Sequence, residues 1–175
     1  LPGLGAVGLR VDVDAALQAM VDTSTLPRPH AAAWAQRDWT DYAQFGYVPF
    51  DRVSNESVSL TLEFGIGDDA TARVARAAGR SAVAARFARR AQGWRLLWDA
   101  QTQMMRGKDS AGRWREPFDP LVPTSPLNNP GDYTEANAWQ YTLTPALHDP
   151  AGLIAGMGGA KAFEGWLDRF FTVQA

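Results

Sequence analysis

An all-α layered assembly of helical hairpins, carrying one small β-hairpin, is the fold the sequence predicts, and three observations predict it. Apolar residues recur at helical spacing through most of the chain. The segments so patterned follow one another across short Gly- or Pro-containing connections. One stretch, residues 103–115, has two short runs about a polar, Gly-containing turn, which is the mark of a β-hairpin. Neither an internal repeat nor a domain boundary interrupts the series, so the chain reads as one unit.

The elements follow in order. Val13, Leu17, Met20 and Val21 define a helix over 12–24, with Pro27 and Pro29 in the loop beyond. A helical turn at 39–45 closes on Gly46, and 47–50 then runs extended into a loop at 51–56. Val58, Leu62, Ile66, Ala70 and Val74 form an i, i+4 stripe on a long helix over 57–78, stopped by Gly79. Gly65 and Gly67 allow a break in it, with Asp68 recapping. Residues 81–98 place Val83, Phe87, Ala91, Trp94 and Trp98 on one face, and the short connection predicts antiparallel packing against the preceding helix. Residues 103–107 and 113–115 form the hairpin. Residues 116–130 are rich in Pro and Asn and lack periodicity, the composition of a loop that lines a site. Helices are expected at 134–142, 150–157 and 160–171, the last burying Phe163, Trp166, Leu167, Phe170 and Phe171.

Composition narrows the function. A net charge of -2 sets up no field for a polyanion, so neither nucleic acid nor an anionic membrane is expected as partner. The absence of Cys removes disulfides, thiolate nucleophiles and zinc-thiolate sites. No segment approaches the ~18 uninterrupted apolar residues of a membrane span. Leu1-Pro2-Gly3-Leu4-Gly5 is expected to be a cut end and carries no signal peptide. Phosphate-loop, dinucleotide, His-Glu-x-x-His and Gly-x-Ser-x-Gly motifs are all missing. His30 and His148 read as structural, and the Arg76 to Arg90 cations as a solvated helix face. Arg106 and Lys108, beside the long loop, suit either salt bridges or contacts to hydroxyls.

The segment Asp132-Tyr133-Thr134-Glu135-Ala136-Asn137-Ala138-Trp139-Gln140-Tyr141 is the most suggestive on the chain. Carboxylates and amides hydrogen-bond sugar hydroxyls, and indole or phenol faces cover the apolar side of a sugar ring. Two readings fit it: a sugar site, or a helix start in which Thr134 caps and Glu135 complements the helix dipole.

Five stretches in series resemble the central region of glycoside hydrolase family 92: GYVPFDRVSNESVSLTLEFGIGDDATARVARAAGR, MMRGKDSAGRW with EPFDP, DYTEANAWQYT, HDPAGLIAGMGG, and FEGWLDRFF. DVDAALQAMVDTST resembles it more loosely. The resemblance implies a calcium-dependent, inverting exo-α-mannosidase acting on N-glycans or mannan, with an α-1,2 preference and an exported location. It implies that residues 1–175 are an internal part of an (α/α)6 barrel, with a β-sandwich domain before them and the rest of the barrel after. Glu135 takes the place of the general acid in the family's Thr-Glu-x-Asn motif. Trp139, Asn137 and Gln140 are candidates for shaping or supporting the sugar pocket. The catalytic base, in a Gly-Asn-Asp-type motif, and most calcium ligands are expected outside this chain, so the chain alone is expected to be inactive and to expose apolar faces. Ala136 stands where the family commonly has Gly, and Gly65-Ile66-Gly67 replaces a more aromatic stretch. A helix start also favours the charged carboxylate, whereas an acid must keep its proton; neighbouring aromatics or the second carboxylate are expected to offset this. A non-catalytic carbohydrate-binding module and a purely structural helical scaffold are the competing readings.

Overall fold

The computed structural model describes residues 11–26, 33–53 and 55–173. Residues 1–5, Pro27, Pro29 and His30, which the sequence placed at a cut end and in a loop, lie outside them.

Helix α1, Val13–Thr23, is capped by Asp12, whose carboxylate accepts the Ala15 N–H. α2, Ala33–Phe45, is longer than the expected turn but closes as expected before Gly46, which takes φ +79. α3, Ser57–Ala77, runs without a break through both glycines. Gly65 is useful there: it faces the Ala91 carbonyl and the His148 ring, and lets the neighbouring turn lie close. The expected i, i+4 stripe holds at Val58 and Leu62 and then slips, leaving Ala70 exposed and Ala72 and Ala75 buried. The cause is geometric, since a strict four-residue step over-rotates by about 40° each time and a long helix must mix steps of three and four to keep one face inward.

The expected helix over 81–98 is three pieces: α4, Ser81–Arg90; a 3-10 turn, Ala91–Gly93; and α5, Trp94–Leu97. Gly93 lets this turn lie close against its neighbours, since a β-carbon there would meet the Gly46 carbonyl and the Tyr42 ring. α3 and α4 pack against each other as the short connection predicts. Trp98 is no longer helical: β1, Trp98–Asp99, pairs antiparallel with β2, Met104–Met105. The hairpin expected from 103–107 and 113–115 is reduced to one bridge between Lys108 and Trp114, with Asp109 accepting from the backbone N–H groups of Ala111 and Arg113 to hold its turn.

α6, Ala138–Tyr141, a 3-10 turn at Thr144–Leu147, α7, Pro150–Gly156, and α8, Ala160–Thr172, complete the order. The main core gathers Val58, Leu62, Trp94, Leu97, Met105, Tyr133, Trp139, Leu153, Met157 and Trp166, while Leu17 of α1 packs with Ala75 and Ala84 in a second, smaller cluster. Of the residues expected to be buried on α8, Trp166 is fully so, Phe163, Leu167 and Phe170 are half-buried, and Phe171 is 79% exposed. Phe171 lies about 140° around the helix from Trp166, so both cannot face one core.

The basic run is not wholly a solvated face. Arg86 and Arg89 are exposed, but Arg90 turns in and pairs with buried Asp68 at 3.0 Å. The Tyr42 hydroxyl lies 3.1 Å from the same carboxylate oxygen and 2.9 Å from the Arg90 carbonyl. Burial pushes the Asp68 carboxyl up from 3.8 to about 6, against the pull of Arg90 and Tyr42, and also raises the Tyr42 phenol. A raised carboxyl binds its proton more tightly folded than unfolded. Its contribution to stability is therefore complete below about pH 4 and is lost as pH rises through about 6. Asp68→Asn should flatten that part of the stability profile relative to the native chain, as measured by urea midpoints between pH 4 and 7. At neutral pH, Arg90→Met should cost about 3 kcal/mol by leaving the carboxylate buried without its cation.

Candidate active site

The loop after the hairpin is anchored before it reaches Glu135. Arg106 is buried between β1 and this loop, bonding Asp99 at 3.0 Å, Glu116, and the Arg115 carbonyl. Its guanidinium also lies 4.7 Å from the Phe118 ring centre. Burial works against the Asp99 charge, but Arg106 and two backbone N–H groups outweigh it and hold that carboxyl below its usual range. Lys108 sits 4.0 Å over the Trp114 ring. Of the two uses that the sequence left open, Arg106 takes the salt bridge.

The segment from 131 to 137 is tied residue by residue. Gly131 and Asp132 carbonyls accept the N–H groups of Glu56, Val58 and Ser59, and so cap α3 with main chain where Glu56 supplies no side-chain cap. The buried Asp132 carboxylate takes two bonds from Arg115, at 2.6 and 2.8 Å, and one from Ser57 at 2.7 Å. Tyr133 sends its hydroxyl to the Met105 carbonyl at 2.7 Å, and burial raises its phenol, which stays a neutral donor. The Thr134 N–H and hydroxyl bond Ser59 and Glu56. Ala136 exchanges backbone bonds with Thr124.

Glu135 is the exposed member of this run. Its backbone is left-handed, φ +49, which a non-glycine residue adopts at a cost of about 1 kcal/mol or more. Ser125 donates a hydrogen bond of 2.7 Å to its Oε1. The expected helix start at Thr134 is corrected: α6 begins at Ala138, and Asn137 is its cap. Residues 132–134 are engaged with α3 and the left-handed Glu135 cannot be helical, so Thr134 caps nothing. Ala136 likewise stands outside a helix. The conflict between an acid and a helix start loses its main source, because Glu135 precedes the cap and α6 has only four residues.

Asn137 and Gln140 form a reciprocal capping box, Asn137 Oδ1 accepting the Gln140 N–H at 3.0 Å and Gln140 Oε1 accepting the Asn137 N–H at 3.2 Å. Asn137 Nδ2 donates to the Leu121 carbonyl. Trp139 lies beneath, its ring 4.7 Å from Trp166, so that its faces are occupied by core. Its indole N–H has no partner among the described residues. Trp139 and Asn137 are buried beside the segment that carries Glu135, while Gln140 is exposed. His148 is structural as expected, with Nε2 3.0 Å from the Ala91 carbonyl. A cleft of about 430 Å³ opens behind the loop between Arg115, Phe118, Asn129 and Tyr133, and neither Ser125 nor Glu135 lines it.

The profile of the glycosyl hydrolase family 92 catalytic domain matches residues 3–175. The chain belongs to that family. Among solved structures, a family 92 α-mannosidase of Bacteroides thetaiotaomicron in complex with mannoimidazole is 35% identical, with a TM-score of 0.82 over 94% of this chain and 21% of its own. Another structure of the same enzyme gives 34% and 0.79, over 94% of this chain and 20% of its own. A family 92 inverting mannosidase of the same organism gives 31% and 0.79, over 90% and 20%. No curated protein matches the sequence. The chain thus spans about a fifth of the length of these family 92 structures. Among the described residues no three His, Asp or Glu side chains converge to hold a metal ion, and no helix is long and apolar enough to cross a membrane.

Gly107 gives the loop its clearance, since a β-carbon there would collide with the Asp132 carboxylate. Gly107→Ala should therefore break the Arg115–Asp132–Ser57 contacts and lower stability by about 2–3 kcal/mol, much as Asp132→Ala does. Chemical denaturation checks the size. Protease cleavage within 116–135 should also rise in both variants.

Proposed function

We propose that this chain is the acid-bearing central part of an inverting exo-α-mannosidase, and that Glu135 is its general acid. The observation that carries the reading is the backbone of Glu135. In a segment whose neighbours are bonded to α3, β2 and the long loop, this residue alone is held at positive φ with its carboxyl directed outward. Strain retained at one exposed carboxylate, with its surroundings locked, is the pattern of a pre-organised reactive group.

In this mechanism the Glu135 carboxyl gives its proton to the glycosidic oxygen as the bond from C1 to that oxygen breaks, the bond's electron pair going to the leaving oxygen. Water attacks C1 from the opposite face and yields its proton to a second carboxylate about 6.5–9.5 Å from the first, the separation that inversion requires. That base belongs to the remainder of the enzyme. The related structures are those of an α-mannosidase and an inverting mannosidase, which supports the substrate class and the stereochemistry. Terminal α-1,2-linked mannose on N-glycans or mannan is the proposed substrate, with the enzyme exported to meet it. Trp139, Asn137 and Gln140 serve by holding the floor and the far end of the acid's loop.

The described residues do not by themselves make a calcium site. Bound by the remaining parts of the barrel, calcium would hold mannose hydroxyls. In this reading the chain supplies several central helices of an (α/α)6 barrel, between a β-sandwich and the closing helices.

The test is hydrolysis of α-1,2-mannobiose by the enzyme with its flanking sequence, in calcium and in chelator. Glu135→Gln should lower kcat on the order of 10³-fold while the thermal midpoint holds. Unchanged turnover in the folded variant would remove Glu135 from the mechanism. The 175-residue chain alone, lacking the base, should release no mannose, and calcium-dependent turnover by it would refute the division of the site.

A further inference from the structure

The long loop brings a second side chain to the acid, and it does so by backbone register. Thr124 and Ala136 form an antiparallel bridge with two hydrogen bonds, Thr124 N–H to Ala136 O at 2.7 Å and Ala136 N–H to Thr124 O at 3.2 Å. In an antiparallel pairing the next position on one strand faces the preceding position on the other. Ser125 is therefore set opposite Glu135, and its hydroxyl donates to Glu135 Oε1 at 2.7 Å.

Ser125 is also held from its other side. It exchanges backbone bonds with Asn129, at 2.9 and 3.1 Å, closing a tight turn over 125–129. The Leu127 N–H approaches Ser125 Oγ at 3.4 Å, on the accepting side of the hydroxyl. The Asn129 side chain in turn donates to the Pro123 carbonyl at 2.8 Å. The hydroxyl that meets Glu135 is thus fixed by main chain on both flanks, although the contact itself is open to solvent.

We infer that Ser125 is a positioning residue for the acid, holding Glu135 Oε1 so that Oε2 carries the proton toward the leaving oxygen. The inference rests on the reading of Glu135 as general acid. Its energetic logic is differential: a donor aimed at a carboxyl group binds the carboxylate more strongly than the neutral acid. As the proton passes from Oε2 to the glycosidic oxygen, negative charge develops on the carboxyl group and the Ser125 bond strengthens. The contact therefore favours proton transfer, and it matters most where the leaving group depends on receiving that proton.

This dependence separates positioning from a structural role. α-1,2-Mannobiose has an alcohol leaving group that needs protonation, whereas 2,4-dinitrophenyl α-mannoside releases a stable phenolate that does not. In the enzyme with its flanking sequence, Ser125→Ala should lower kcat on mannobiose by about tenfold, with KM nearly constant. On the dinitrophenyl substrate the loss should stay below about twofold. Ser125→Thr, which keeps the hydroxyl, should recover most of the mannobiose turnover. Equal losses on both substrates, or no loss on mannobiose, overturn the inference. Glu135→Gln run alongside separates the two claims. If it spares mannobiose, the acid reading fails and Ser125 with it; if it abolishes mannobiose turnover while Ser125→Ala leaves that turnover unchanged, only the positioning role fails.

Discussion

The N-terminus of α3 is the point on which the rest of the site depends. A helix leaves its first N–H groups without partners, and a buried helix start must find acceptors for them. Here the cap residue Glu56 has a left-handed backbone and makes no side-chain cap. The acceptors are carbonyls of Gly131 and Asp132, roughly 75 residues further along the chain. One set of hydrogen bonds thus completes the longest helix and fixes the segment leading to Glu135. Side chains reinforce it from both directions, Ser57 reaching to Asp132 and Thr134 reaching back to Glu56.

The layers beneath follow from that junction. Tyr133 inserts between the junction and β2, and Trp139 lies on Trp166 and near Phe170 of α8. Arg115 pairs with Asp132 while its guanidinium stands 4.0 Å from the Phe50 ring, so the extended chain after α2 is joined as well. Distant stretches of sequence converge on one short run of backbone, and most of its side chains are consumed in holding it. Glu135 is left exposed at its surface.

Helices with long periodic stripes were legible in the sequence, and their ends too where a cap residue or Gly stood beside them, as at Asp12 and Gly79. The family was legible because its motifs survive in order and spacing. What periodicity could not express was the start of α6. Thr134 and Glu135 look like a helix opening, yet their backbones are claimed by contacts to α3, and tertiary demand overrides local preference. The true signal was present in Asn137 and Gln140, a cap followed three residues later by an amide, and it lay behind a more conspicuous carboxylate. Trp139 illustrates a related limit, since an indole three or four residues from a catalytic candidate looks the same in sequence whether it faces ligand or core. Ser125 had no sequence signal at all, because its place opposite Glu135 comes from strand register across an aperiodic loop. Asp68 and Arg90, expected to recap the helix and to face solvent, were misassigned for a similar reason: their pairing joins two helices.

The left-handed backbone at Glu135 also limits how that side chain can search for a partner. With residues on both sides pinned, the torsions of the main chain offer no slack, and the carboxyl can move only by rotation about its own side-chain bonds. Rotation about those three bonds lets the oxygens sample only the space within one maximum radius of the fixed backbone. An Asp in its place would shorten that radius by roughly 1.5 Å, one carbon–carbon bond, and nothing in the tethered strand could advance to make up the gap. Reach, as much as acidity, is therefore set by the fold at this position.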